Sequence, residues 1–373
     1  MSIKKSVRDC ILNFKPYKPG KPIEELKREL KLKNVFKMAS NENALGPSPQ
    51  AISALKNALA NINRYPDGAC YYLKQVLAKK YKLQPDNIII GNGSDELIVL
   101  ALKAFVNKSD EVIIADPTFL VYKLAAILAE AKVISVDLKA FRYDLPAMKE
   151  KITPRTKVIF IANPDNPTGS YVSRLEVEQF LKGIPKNILL FFDEAYFEYL
   201  EARDYPDTLK YLRRGNIIVC RSFSKAYGLA GLRIGWAAAS REIIGYLNQV
   251  REPFNVNMLA QIAAIAALAD RKHVQKSRQL IKTGKKFIVR ELKQMKLFFV
   301  PSVTNFILIN MGYRAKAVYE KLLKRGIIVR EMSAWGLNNF IRVTIGTPNE
   351  NKAFIRELKK ILLLINKKKG DNQ

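Results

Sequence analysis

The stretch IIVCRSFSKAYGLAGLRIG, residues 217–235, begins as an apolar strand and ends in a run of glycines and polar side chains. Ile217–Cys220 is short, apolar and largely β-branched, which is the pattern of a strand covered on both faces, as in a parallel sheet. The segment after it carries Ser222, Ser224, Lys225 and Arg233 in the spacing S-x-S-K-x-x-G-x-x-G-x-R. A lysine in a dry pocket at a strand end has a lowered pKa, and its amine becomes a nucleophile towards a carbonyl. Hydroxyls and a guanidinium close by suit a phosphate group. A solvated loop lysine is the ordinary reading of a lone lysine, but it does not account for this spacing.

Working outward, similar runs recur at Asn87–Ile90, Glu111–Ala115, Val133–Val136, Val158–Ala162, Ile188–Phe192 and Trp236–Ala239. Helical periodicity lies between many of them, as at Ser94–Val106, Phe119–Glu130 and Leu175–Leu181. This alternation predicts an α/β layered fold on a mostly parallel sheet. After about residue 254 the pattern changes. Helical stretches Val256–Asp270 and Val274–Met295 precede strand-like runs Phe306–Ile309, Ile327–Arg330 and Ile341–Ile345, then an amphipathic helix near Lys352–Ile365. The expected organisation is an arm over 1–38 packed with the small domain, a large domain over 39–253 and a small α+β domain over 254–373.

Composition sets outer limits. The chain has 373 residues, 48% of them apolar, more than one core ordinarily holds, since single cores stop growing at roughly 250–300 residues. No apolar run approaches the roughly 20 residues that span a bilayer. The opening MSIKKSVRDC has no apolar stretch of signal-peptide length, so the expected compartment is the cytoplasm. Cys10, Cys70 and Cys220 are scattered and odd in number and read as reduced thiols. With His273 the one histidine and no clustered cysteines, the sequence argues against a His/Cys metal site. The formal charge of +29 invites a nucleic-acid reading. However, the lysines are spread over nearly every expected helix among acidic residues, and no zinc finger, RNA-recognition signature or basic zipper accompanies them. The surface is read as lysine-rich and solvated, and as attractive to small anions.

Three further stretches carry chemistry. Asp193 ends the run Ile188–Phe192 and opens DEAY; a carboxylate at the C-terminal end of a buried parallel strand stands where such sheets place ligands, although it could equally cap a helix. NPDNPTG, residues 163–169, follows another strand and is turn chemistry in the first instance. GNGSDE, residues 91–96, joins a strand to a helix, where glycines admit close approach and free N–H groups bind anions. It lacks the third glycine of a dinucleotide fingerprint, and Ser94 or Asp95 also suits a plain N-cap.

Taken in order, these segments resemble the fold-type I pyridoxal-phosphate aminotransferases over nearly the whole chain. The resemblance implies a seven-stranded, mostly parallel sheet in an α/β/α sandwich with a smaller α+β domain, and pyridoxal 5′-phosphate as cofactor. It implies that Lys225 binds the cofactor covalently, that Asp193 holds the proton on the ring nitrogen, and that Tyr196 and Asn166 contact the ring's phenolic oxygen. Gly93, Ser94, Asp95, Ser222, Ser224 and Arg233 fall in the phosphate region. Phe119, in PTFLVY at 117–122, matches an aromatic stacked over the ring.

Further stretches narrow the resemblance: FKPYKPGKP (14–22), ASNENALGPSP (39–49), RYPD (64–67), DEAYFEY (193–199), PFNVN (253–257) and FIRVTIGT (340–347). Together they look like the histidinol-phosphate aminotransferases, which exchange an amino group between L-histidinol phosphate and 2-oxoglutarate. Arg342 then matches the arginine for the substrate anion, Arg330 a second arginine for the substrate phosphate, and Asn43 a further substrate contact. Tyr17 matches an arm tyrosine that closes over substrate. Tyr65 matches a residue that reaches the neighbouring site of a homodimer. Ala44 stands where proline is usual, and Phe119 where tyrosine is common. On the same fold, an aromatic amino-acid aminotransferase or a threonine-phosphate decarboxylase is the alternative.

Overall fold

Seven strands carry the large layer in the computed structural model, which describes residues 3–12, 14, 22–32 and 34–370. They are β1 (Ile88–Gly91), β2 (Glu111–Asp116), β3 (Lys132–Asp137), β4 (Thr156–Ala162), β5 (Leu189–Asp193), β6 (Ile217–Ser222) and β7 (Gly235–Ala238). Their order across the sheet is β1-β7-β6-β5-β4-β2-β3. Only β7 runs antiparallel to its neighbours, β1 and β6; the remaining pairs are parallel. The α/β expectation therefore holds. Every residue of β5 and β6 is buried, which explains why their apolar runs Leu189–Phe192 and Ile217–Cys220 do not alternate. The edge strand β3 exposes Lys132, Ser135 and Asp137, polar residues that discourage pairing with another edge.

Because β1, β2, β4, β5 and β6 point the same way, their C-terminal ends gather Gly91–Ser94, Asp116–Phe119, Ala162–Asn166, Asp193 and Ser222–Lys225 along one edge of the sheet. The helices include α1 (Pro49–Ala58), α2 (Tyr71–Tyr81), α3 (Ser94–Phe105), α4 (Leu120–Leu128), α5 (Met258–Ala269) and α6 (Arg271–Gln294). The sheet's main core includes Val112, Phe160, Phe191 and Val219, with Leu97 and Ile98 of α3 and Tyr122 of α4 packed onto it.

A second core lies under an antiparallel sheet ordered Arg330–Glu331, Phe340–Thr344, Phe306–Asn310 and Phe299–Val300. The run Ile327–Arg330, expected as one strand, is divided at Val329. Ile327–Ile328 pairs in parallel with Phe36–Lys37, whereas Arg330–Glu331 pairs with Phe340–Thr344. The expected boundary at 253/254 precedes α5, and α5 packs on α1 and α2 of the large layer. Its buried Ala260, Ala263, Ala264 and Ala267 share a cluster with Ala51, Leu73 and Trp236. Packing thus changes partners nearer Asp270 than residue 254. The arm also divides. Leu26 packs with Ile328 of the small domain, but Arg8 bonds Glu130 at 2.6 Å and the Leu128 carbonyl at 2.9 Å on the large one.

Gly235 shows how tightly α3 is seated. A Cβ at this position would lie 2.7 Å from Ser94 N, 2.9 Å from Gly93 C and 3.1 Å from Arg221 O, all backbone atoms. Gly235→Ala is expected to lower stability by roughly 1–3 kcal/mol. Gly231→Ala, whose Cβ would meet nothing within 4 Å, is the control, and its urea midpoint should match the parent's.

Candidate active site

The edge where the strands end encloses a cavity of about 230 Å³. Lys225, Asp193, Tyr196, Asn166, Phe119, Ser94, Asp95, Ser222, Ser224 and Arg233 all line it. The sequence reading is thereby gathered into one place from five strand ends.

Asp193 closes β5 and is only 5% exposed. Its Oδ2 accepts from the Tyr122 hydroxyl at 2.8 Å and its Oδ1 from Ala195 N at 3.0 Å. Burial pushes its pKa up to about 6, against the pull of these two donors. Tyr122 stacks on Phe160 at 4.7 Å, which fixes its ring, and Phe119 meets it edge-on at 5.6 Å. Lys225 Nζ donates to Ser40 O at 3.3 Å. Burial, then the neighbouring Arg342 cation, brings the amine down to about 8. Tyr196 lies between: its ring is 5.7 Å from Lys225 Nζ, and its hydroxyl accepts from Asn41 Nδ2 at 2.9 Å. Burial raises that phenol to about 12.

At the other end, Gly93 caps α3 with φ +83°, and a Cβ there would sit 2.5 Å from Arg233 Nη2. Glycine is thus required twice, by conformation and by the approach of the guanidinium. Arg233 reaches Asp95 at 3.4 Å, and Ser224 N donates to Ser222 Oγ at 3.0 Å. Hydroxyls, a guanidinium and the first N–H groups of α3 make a cradle for a dianion.

Arg342 stands beside the cavity, donating Nη1 to Asn166 Oδ1 and Nη2 to Ala39 O, the latter at 3.0 Å. Arg330 is its registered partner across the antiparallel pair, and both guanidinium groups lie over Trp335, at 5.1 and 5.8 Å. Asn43 is placed differently from expectation. It does not line the cavity; its Nδ2 donates to Ala226 O at 2.9 Å and its Oδ1 accepts from Leu45 N at 3.1 Å, so its amide is used to seat the 43–45 turn. Tyr65 is 83% exposed, away from this cavity, and stacks on Phe254 at 4.8 Å. Tyr17 lies outside the described residues.

Tyr122, Asn41, Ser40 and Glu42 belong to the site without having been singled out. Tyr122 carried one weak signal, its place one helical turn after Phe119. Asn41 had another: asparagine tolerates the left-handed backbone it adopts, φ 55°.

A hidden acid, an amine near neutrality and an anion cradle around one small cavity match the ring nitrogen, aldehyde and phosphate of pyridoxal phosphate. A family model described as aminotransferase class I and II matches residues 33–358, and the chain belongs to that family. A histidinol-phosphate aminotransferase of Moorella thermoacetica is 49% identical over 95% of this chain and 92% of its own length. One from Caldicellulosiruptor saccharolyticus is 45% identical over 95% and 99%. The crystal structure of histidinol-phosphate aminotransferase from Sinorhizobium meliloti with pyridoxal-5′-phosphate superposes with a TM-score of 0.90, at 27% identity, over 96% of this chain and 98% of that one. Within the class, the chain is a member of the histidinol-phosphate aminotransferases.

Without cofactor, Asp193 should leave a pH signature. Its folded pKa of about 6 exceeds the unfolded value of ~3.9, so the folded state holds the proton longer and stability falls as pH rises through ~4 to ~6. The loss is at most on the order of 3 kcal/mol. Asp165, also raised by burial to about 6, adds to the same decline. Asp193→Asn should therefore flatten part of it, read as urea midpoints of cofactor-free protein at pH ~4.5 and ~6.5.

Proposed function

We propose that this aminotransferase moves an amino group from L-histidinol phosphate to 2-oxoglutarate, giving imidazole acetol phosphate and glutamate. The observation that carries this reading is the seating of Asp193 and Lys225 in one cavity, with an anion cradle between α3 and Arg233 and two further arginines beside it. Pyridoxal phosphate, when bound, supplies a cationic ring that accepts the electron pair left as the substrate carbon loses its proton. Asp193, ionised against that ring nitrogen, keeps the nitrogen protonated. Tyr196 and Asn166, which line the same cavity, would hold the phenolic oxygen. Lys225 Nζ would hold the cofactor covalently and, as a free amine, would move the proton at the substrate carbon. Its lowered pKa leaves a useful share of free amine near neutral pH.

Both substrates are anions, and Arg330 and Arg342 answer them. The two arginines stand opposite each other across the strand pair, and a guanidinium fork suits a carboxylate or a phosphate. Arg342 is assigned to the carboxylate of 2-oxoglutarate or its counterpart, and Arg330 to the phosphate of histidinol phosphate. Tyr17 would close over the substrate. A homodimer is part of the reading. Ile62, Tyr65, Tyr72 and Phe254 are exposed, with Tyr65 stacked on Phe254, and Tyr65 would reach the phosphate cradle of the neighbouring copy. Among the described residues no helix is long and apolar enough to cross a membrane; the cytoplasm is the compartment proposed.

Mixing the yellow holoenzyme with histidinol phosphate alone should convert the visible band in a single half-reaction, and 2-oxoglutarate should restore it. Lys225→Ala should lose both the band and nearly all turnover; full activity in that variant would overturn the assignment. Arg330→Gln should raise KM for histidinol phosphate by ~10–100-fold, the worth of one charged hydrogen-bonding group, while changing KM for 2-oxoglutarate less. Equal effects on both substrates would reject its assignment to the phosphate.

A further inference from the structure

Glu194 directly follows Asp193, and Arg221 directly precedes Ser222. Neither lines the cavity. Successive strand residues face opposite ways, so Asp193 and Ser222 turn towards the cavity while Glu194 and Arg221 turn away from it. There they meet. Arg221 donates from Nε and Nη2 to Glu194 Oε2 at 2.9 and 2.8 Å. Glu194 Oε1 accepts from Thr208 Oγ1 at 2.6 Å. The Tyr205 hydroxyl lies 3.0 Å from the same oxygen and also against the Asn163 carbonyl oxygen that follows β4. The guanidinium covers the Phe197 ring at 3.4 Å, with Tyr81 at 5.0 Å and Trp236 at 5.7 Å. Both side chains are almost wholly buried, at 2% and 0% exposed.

An ion pair this deep is weak evidence for stability, because an apolar pair of similar volume is often as stable or more so. What distinguishes this one is its position. It joins the last turns of β5 and β6 one residue away from each of two groups that the cofactor would touch at opposite ends, and through Tyr205 it reaches β4, which leads to Asn166. Backbone pairing alone already holds the strands in register, with Glu194 N donating to Cys220 O at 2.8 Å. The side-chain pair adds a lateral constraint beyond the last ladder residue, where strands otherwise splay.

We infer that Glu194 and Arg221 are positioning residues: their ion pair fixes the distance between Asp193 and the Ser222–Lys225 segment, so that one rigid ring meets its acid, its phosphate cradle and its lysine together. This rests on the roles given above to Asp193, Ser222 and Lys225.

The decisive variant is the double replacement Glu194→Gln/Arg221→Met, which removes both charges of the pair and keeps an amide oxygen to accept from Thr208 Oγ1 and the Tyr205 hydroxyl. If the pair positions the site, the cofactor-free double variant melts within ~4 °C of the parent. The same protein should bind pyridoxal phosphate at least ~10-fold more weakly, shift the pH midpoint of its visible band, and lose turnover by ~10–100-fold with little change in KM, as misplacement of reacting groups predicts. Glu194→Gln, which keeps the shape and can still accept from Arg221, should fall between the two. A double variant with parental cofactor affinity and band midpoint overturns the inference. So does failure of both variants to fold, which would make the pair a stability element. If the parent itself formed no Lys225-dependent visible band, the assignment of the site would fail first, and the two failures are thereby told apart.

Discussion

The dehydration of Asp193 is the constraint around which the site is arranged. A carboxylate at the end of a fully buried strand, with two hydrogen-bond donors and little water, is costly to ionise. The sheet cannot relieve this by moving the residue, because β5 is central and paired in parallel on both sides. Tyr122 relieves it in part, and Tyr122 is itself held by stacking on Phe160. The rest of the relief must come from a cation entering the cavity, and a protonated pyridine nitrogen has the charge and shape to provide it.

The same burial acts on Lys225 in the opposite sense. Asp193 is pushed up and Lys225 down, so both drift towards their neutral forms for one cause. An empty cavity therefore holds a reluctant acid and a ready amine. A ligand with a basic ring nitrogen at one end and an aldehyde near the other draws on both, as an ion pair and as a covalent bond. This pairing of perturbed groups distinguishes the cavity from the larger clefts of the surface, such as the one lined by Lys139, Arg142 and Glu176, where Arg142 and Glu176 simply neutralise each other.

Much of this was legible in the sequence, for physical reasons that also explain the misses. Continuous apolar runs such as Leu189–Phe192 read as buried strands because no solvated face interrupts them, and the groups at their C-terminal ends followed at once. The small domain was harder. Ile327–Arg330 looks like one strand, but its halves join different sheets, and nothing local marks Val329 as the point of division. The helix Met258–Ala269 was placed with the elements that follow it, because its alanines say that it packs closely without saying against what. Asn43 was carried over by resemblance, and its amide turned out to serve the turn at 43–45. Tyr122 went unnoticed because its role depends on one hydroxyl aimed at Asp193 across 71 residues of chain.

The arginines show why the fold needs two cores. The acid, the amine and the phosphate cradle all belong to the large sheet, whereas Arg330 and Arg342 lie on the antiparallel sheet of the small one. The two meet closely: Arg342 donates to Asn166, Trp335, lying under both arginines, donates its Nε1 to Thr118 O at 2.9 Å, next to Phe119, and Tyr196 packs into the core of the small unit. Most cofactor contacts thus belong to the large sheet's edge, while the groups that read substrate anions are carried by the antiparallel sheet. Trp335 supports both guanidinium groups, since a ring face attracts a cation. A guanidinium held against a ring face keeps its planar fork aimed, and that fork suits a carboxylate and a phosphate in turn.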